Sequence, residues 1–401
     1  MNEKIIQNGL VYRVLKSLSS ISIILAIFVI TRQFPLNLFG FTGIPKFLVF
    51  FCFLSGIPLI LKNLFLCRYK SVVLLSFLAI FLIGFHSLYS LFMASNPIGT
   101  LRFFLILILI ILAYYLKLPE FVLNWFIFFA VIQSLFLIIF EIYLIFLASP
   151  SETVMVRHFF LENNIGDVYS YNGYFYRIQI LGNPLIPFAF FVSLSLKKKN
   201  VIRGILFLGV LISANLAFYL ATFLFLLGYF VIKSRNNFRL INNIIKVYFL
   251  VFISLYPALK YMHYILGKKH YSLAVRADQF NVLINDMTNS TLTTLLGRGL
   301  GNVIYVKTPL RDYSSYGYYF ELQTIYVFNQ LGVFALMYYI ILMYVAYKLY
   351  RRDLFFIYLC YIIYAVTNPY ILDSTHIIVI LILNILQEKY YGKSLCNYND
   401  V

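Results

Sequence analysis

The chain has 401 residues, 62% of them hydrophobic and only 11% charged, and its mean hydropathy is +0.87. Apolar runs of about 20 residues recur from end to end, each long enough to cross a ~30 Å hydrocarbon core as a helix, and no stretch is polar enough to fold as a soluble domain. The formal net charge of +18 invites a nucleic-acid partner, but the basic residues are scattered between apolar runs rather than gathered on one face. They read as loop charges that orient a membrane protein, with no nucleic acid involved.

The expected fold class is an all-α polytopic membrane protein, with residues 1–401 as one integral membrane domain. About twelve spans are predicted, near 18–31, 46–61, 72–93, 102–116, 121–148, 179–196, 201–214, 216–232, 246–264, 322–347, 354–370 and 375–388. The first follows Lys4, Arg13 and Lys16 and is not followed by a small-residue cleavage site, so it reads as a retained signal anchor. Ser213-Ala214-Asn215 offers only a minimal turn between two spans, and the long fifth and tenth spans are expected to tilt.

Short loops carrying Lys62, Arg68, Lys70, Lys117, Lys197, Lys198, Lys199, Arg203, Lys348, Arg351 and Arg352 fall on one side of this alternation. The positive-inside rule makes that side cytoplasmic, together with both termini. Cys52 and Cys360 lie in spans and Cys67 and Cys396 in cytoplasmic segments, so no disulfide framework is implied. Two long loops, about 149–178 and 265–321, then face the periplasm. Outer basic residues are often arginine (Arg32, Arg102, Arg157, Arg177, Arg276, Arg298 and Arg311), and guanidinium is the better bidentate partner for phosphate and carboxylate.

The first long loop offers Arg157, His158 and Tyr176-Arg177-Ile178-Gln179 before Gly182-Asn183-Pro184, with Tyr169, Tyr171 and Tyr174 nearby. Aromatic faces with amides and arginines suit a carbohydrate surface; tyrosines equally belong to the interfacial belt. In the second, Leu273, Ala277, Phe280, Ile284 and Met287 recur at helical spacing with Asp278, Asn281 and Asp286 opposite. That pattern predicts an amphipathic helix lying in the outer interface. Arg276 falls at the edge of its apolar face, a costly place unless an anion meets it; snorkelling or a pair with a helix carboxylate are the alternatives.

Gly297-Arg298-Gly299-Leu300-Gly301 follows, and glycines there would let backbone N–H groups come close to a ligand, or simply make a tight loop. Glu321 stands at the mouth of the next span, where a carboxylate is costly; it suits a general base, or a helix N-terminal charge favoured by the macrodipole. Asp373 and His376 could reach the same region or be ordinary loop residues. The sequence has no Walker-type loop, no HExxH, no metal-spaced Cys/His cluster and no Asp-x-Asp pair, so no metal or cofactor is expected and arginine must stabilise any phosphate.

Arg276 in Ala274-Val275-Arg276-Ala277-Asp278, Gly297-Arg298-Gly299-Leu300-Gly301, Glu321-Leu322-Gln323-Thr324, Asn329, Gly332 and Arg177 together resemble the O-antigen polymerase and ligase superfamily of bacterial inner membranes. The resemblance implies a membrane-embedded glycosyltransferase of GT-C type acting on the periplasmic face in lipopolysaccharide biosynthesis. Its polymerases move a growing chain from undecaprenyl pyrophosphate onto the next lipid-linked oligosaccharide repeat. Residue by residue, it makes Arg276 and Glu321 the catalytic candidates. It has Arg276 and Arg177 hold pyrophosphate or acidic sugar groups and the Gly297–Gly301 loop shape the site; with Arg157 and Arg298 from the two long loops, Arg177, Gly297, Gly299 and Gly301 are the substrate-binding candidates. Partners implied are undecaprenyl-pyrophosphate-linked oligosaccharides, membrane lipids and a chain-length regulator. Ligases usually carry a histidine where this chain has Glu321, which favours a polymerase and leaves the base open.

Rival readings are a ligase with a lipid A core acceptor, a lipid-linked oligosaccharide flippase or transporter, and a non-catalytic membrane subunit. A flippase would show comparable halves and charges within spans. This chain shows no evident repeat, and its polar residues gather in the outer loops.

Overall fold

Nearly every apolar run becomes a helix, because a chain with so few polar side chains can satisfy its backbone only internally. The computed structural model describes residues 9–32, 43–93, 95–163, 165–170, 175–233, 273–316 and 320–391, with the single positions 36, 242 and 245. It is mostly helical (77%). Four helices are long and apolar enough to cross a membrane: α1 (Leu10–Thr31), α2 (Ile44–Leu66), α3 (Lys70–Phe92) and α5 (Phe121–Phe146). At ~1.5 Å per residue each exceeds the ~30 Å hydrocarbon core.

Shorter apolar helices fill the rest: α4 (Pro97–Ala113), α7 (Leu185–Ser195), α8 (Asn200–Ile212), α9 (Leu216–Lys233), α13 (Phe334–Leu349), α14 (Arg352–Val366) and α15 (Ser374–Tyr391). The expected span near 246–264 lies outside the described residues. Two expectations change. The span predicted over 179–196 is helical only in α7, because residues 176–180 form a strand instead. The long tenth span is two helices, α12 (Gln323–Leu331) and α13, parted at Gly332 with φ +61°. Its hydropathy is continuous across that point, which is why the break did not register in the sequence.

The loop 149–178 carries regular structure of its own. Helix α6 (Pro150–Glu162) starts with a capping box in which the Ser149 hydroxyl accepts from the Glu152 N–H and the Glu152 carboxylate accepts from the Ser149 N–H. Strands β1 (Gly166–Ser170) and β2 (Tyr176–Ile180) then pair antiparallel, placing Tyr169 opposite Arg177.

Small and amide side chains join the helices, as expected where lipid-like surroundings remove the hydrophobic drive for helix association. Ser19 and Ser55 hydrogen bond between α1 and α2 at 2.9 Å. Helix α15 is apolar all round and correspondingly buried from Ile377 to Leu386. Its Asn384 Nδ2 donates to the carbonyls of Ala113 (2.8 Å) and Leu116 (3.1 Å), satisfying the C-terminal end of α4.

Candidate functional site

Residues 273–287 form helix α10, as the apolar spacing predicted, and the short helix α11 (Thr291–Leu296) follows it. The packed side of α10 is Val275, Gln279 and Leu283, while Leu273 and Phe280 keep 51% and 45% of their surface exposed. The carboxylates face inward: Asp278 accepts from the Thr308 and Tyr313 hydroxyls, both at 2.7 Å, and Asp286 from the Asn329 amide at 2.9 Å. The helix therefore turns Val275, Leu283 and both carboxylates to the protein and leaves Leu273 and Phe280 uncovered.

Arg276, on the boundary of these faces, meets Glu321. Its Nε lies 3.4 Å from Glu321 Oε2, and Arg311 Nη1 lies 3.5 Å from Glu321 Oε1. One carboxylate is thus shared by two guanidinium groups, with side-chain exposures of 35% for Arg276, 25% for Arg311 and 29% for Glu321. Arg311 was noted in the sequence only as one outer arginine among several; no local pattern links positions 276 and 311.

Three features fix this meeting. One turn along α10 from Arg276, Gln279 Oε1 accepts the backbone N–H groups of Glu321 (3.2 Å) and Leu322 (3.4 Å), capping the entry to α12. Phe320, fully buried, stacks on Tyr313 at 5.5 Å and contacts Tyr326 at 4.7 Å, so the residue before Glu321 is anchored. Thr308-Pro309-Leu310-Arg311 is a tight turn in which the Thr308 N–H donates to the Arg311 carbonyl at 2.9 Å, and the Arg311 N–H donates to the Thr308 hydroxyl at 3.1 Å. The Thr308 hydroxyl itself donates to Asp278, which ties the turn to α10. Burial, and then the Asp278 carboxylate, raise the Tyr313 phenol above its ordinary range, so it stays a donor to Asp278.

Of the two readings of the glycine loop, the structure shows the tight loop. Its N–H groups are spent inside the protein: Arg298 donates to the Asn329 carbonyl (2.8 Å), Gly299 to the Gln330 carbonyl (3.0 Å), Leu300 to the Ser90 hydroxyl, and Gly301 to Gln330 Oε1 (3.1 Å). Gly297, Gly299 and Gly301 all have positive φ. A Cβ at Gly297 would stand 2.2 Å from the Gln330 carbonyl oxygen, and one at Gly301 2.3 Å from the Thr100 nitrogen. The glycines thus let the loop wedge between α3, α4 and α12, and they shape the site by fixing the helix that carries Glu321.

Arg298 belongs to this wedge. It pairs with Asp286 Oδ1 at 3.1 Å and donates from Nε to the Asp286 carbonyl at 3.0 Å, while Asn302 and Asn329 occupy the other Asp286 oxygen. That network is closed by its own members.

Arg157 and Arg177 meet on the hairpin instead. Both guanidinium carbons lie 5.5 Å from the centre of the Tyr169 ring; Arg157 pairs with Asp167 at 2.9 Å, and Arg177 donates to the Tyr169 hydroxyl. These contacts stay within residues 150–180 and do not join Arg276. His158 is exposed on α6, while Tyr171 and Tyr174 lie outside the described residues. Gly182 and Asn183 pack against α1 and α5: Arg32 donates to Gln133 at 3.0 Å, Gln133 to Asn183 at 3.2 Å, and Asn183 to the Ile178 carbonyl at 2.8 Å.

Asp373 and His376 take structural places. Asp373 accepts from the Ser374 N–H and the Thr375 hydroxyl at the start of α15, and His376 is buried against Tyr358 at 2.9 Å. Sequence reasoning missed Glu141, a carboxylate in the apolar run of α5. It is 6% exposed; one oxygen accepts the Tyr176 N–H at 2.9 Å and the other has no partner among the described residues. A charge-bearing residue in an apolar helix was the available signal.

The arrangement offers two arginines and a carboxylate on one half-exposed surface, with a second pair of arginines, Arg157 of α6 and Arg177 of β2, about the Tyr169 ring. Such a set can hold an anionic group, and its carboxylate can accept a proton. No protein-family model matches the chain, and no curated protein or solved structure is similar to it.

Proposed function

We propose that this chain is a metal-independent glycosyltransferase of the membrane-embedded GT-C type, an O-antigen or related surface-polysaccharide polymerase. It would join undecaprenyl-pyrophosphate-linked oligosaccharide repeats on the periplasmic face of a bacterial inner membrane. On this reading about twelve spans cross the bilayer, both termini are cytoplasmic, and the 149–178 and 265–321 loops are periplasmic. The observation that carries it is the contact of Arg276 with Glu321, two residues 45 positions apart that the resemblance named independently.

The chemistry needs what these residues have. An acceptor hydroxyl attacks the anomeric carbon of the donor sugar, its proton passing to the Glu321 carboxylate. The bond from that carbon to the diphosphate oxygen breaks, and the leaving diphosphate gathers negative charge that Arg276 stabilises. Single displacement inverts the anomeric centre. Arg177 and Arg157, with Tyr169 between them, offer a surface for acidic sugars or the second substrate's diphosphate.

The test is the surface-polysaccharide profile on a gel after deletion of the gene in its native host. A polymerase predicts collapse of the long-chain ladder to core plus a single repeat. Loss of even one repeat would point to a ligase or flippase, and an unchanged ladder without a second copy of the activity would overturn the reading.

A further inference from the structure

The two arginine–carboxylate groups on α10 differ in kind, and the difference is informative. Asp286 and Arg298 are saturated: the arginine is held at 3.0 and 3.1 Å, and both carboxylate oxygens are taken by Arg298, Asn302 and Asn329. Glu321 is held by single contacts of 3.4 and 3.5 Å, longer than the ~2.7–2.9 Å of a good charge-assisted bond. Among the described residues Arg276 uses only its Nε, one of five N–H donors in its fork. Beside them Gln279 Nε2 is buried with no partner among the described residues, although the same amide fixes the Glu321 backbone through its oxygen. The donors at this spot therefore exceed what one carboxylate satisfies.

We propose that the Glu321 carboxylate is an internal placeholder for a phosphate group, seated in a cradle formed by Arg276 and Arg311 from which a diphosphate displaces it. The cradle follows from the geometry alone; the choice of a diphosphate rests on the function proposed above. A diphosphate brings more charge and more acceptor oxygens than a carboxylate, so it can engage the Arg276 fork bidentately, where Glu321 gives a single oxygen, and meet Arg311 with another of its oxygens. Arg311 is the second arm of the cradle, presented by the Thr308–Arg311 turn that Asp278 ties to α10. Displacement has a chemical consequence: the Glu321 oxygens are released from the arginines and free to meet the acceptor hydroxyl at the moment the leaving group is seated. Substrate binding would thereby switch on the base.

The experiment is titration of inorganic pyrophosphate into the full chain in lipid nanodiscs at fixed ionic strength, read by calorimetry. Glu321→Gln keeps the shape and removes the competing charge, so it should bind pyrophosphate at least about 5-fold tighter than the wild type. Arg311→Ala and Arg311→Lys, each placed in the Glu321→Gln background, should each lose about 10-fold or more of that affinity. Unchanged or weaker binding by Glu321→Gln would overturn the placeholder, and orthophosphate binding as tightly as pyrophosphate would overturn the diphosphate. The two readings separate cleanly. Tightening by Glu321→Gln alongside an unaltered polysaccharide ladder in the deletion strain would keep the cradle and remove the polymerase. Pyrophosphate affinity indifferent to Glu321, with a collapsed ladder, would do the reverse.

Discussion

Arg298 pairs with Asp286 while Arg276, on the same helix as Asp286, pairs with Glu321, so two arginines of similar sequence appearance hold opposite positions in the fold. One is enclosed by its partners and the other is offered to the surface. Substitutions should separate them.

On the proposed function, Arg276→Ala should abolish long-chain polymer while leaving the amount and thermal midpoint of the purified protein near wild type, because its carboxylate partner stays partly exposed and near Arg311. Arg298→Ala should lower the thermal midpoint in detergent, since Asp286 keeps a buried share of its charge without its cation. A loss of about 1–3 kcal/mol is expected for an orphaned partner of this kind. Measuring polymer per folded molecule for both variants checks the distinction; a stable, inactive Arg298→Ala protein would contradict it.

Gly297→Ala and Gly301→Ala should fail to give monodisperse protein. Each Cβ would meet backbone atoms, at 2.2 and 2.3 Å respectively, and each residue already sits at a positive φ that alanine resists. Gly43→Ala, with open space at its Cβ, should behave as wild type in the same size-exclusion comparison.

Glu141 receives the Tyr176 N–H at the start of the strand that carries Arg177. Glu141→Gln retains an acceptor and should leave the hairpin in place. Glu141→Ala strands a buried donor at a cost of about 1–2 kcal/mol and should loosen it. Trypsin cleavage after Arg177 is the readout: faster in Glu141→Ala, unchanged in Glu141→Gln. Equal rates in all three proteins would show that the contact does not hold the strand.

Hydrogen bonds from the Ser149 N–H and hydroxyl hold the Glu152 carboxyl below its ordinary value of 4.5. Because the folded value is the lower one, the cap contributes fully above the unfolded value and is lost as the pH falls through the folded value. Hydrogen exchange over α6, corrected for intrinsic rate, should therefore be protected at about pH 5.5 and lose protection towards about pH 3. In Ser149→Ala, which keeps the backbone N–H and loses the hydroxyl, that protection should be weaker and its pH dependence smaller; in Glu152→Gln the pH dependence should be absent.

The sequence by itself determined the helical, membrane-type character, the amphipathic helix at 273–287 and the interest of Arg276 and Glu321. These rest on local properties: length, hydropathy and periodicity act on neighbouring residues, so they can be read without knowing the packing. Tertiary structure decided everything that depends on which distant groups meet. It brought Arg311 to Glu321 through a turn whose anchor, Asp278, lies 30 residues away at Thr308. It also closed Arg298 and the glycine loop onto α12, so that a motif suited to cradling a ligand instead spends its N–H groups on Asn329 and Gln330. Hydrogen-bonding capacity is finite, and only the fold decides which partner takes it. An arginine enclosed by its partners and one held at the surface therefore read alike in sequence and differ only once their neighbours are in place.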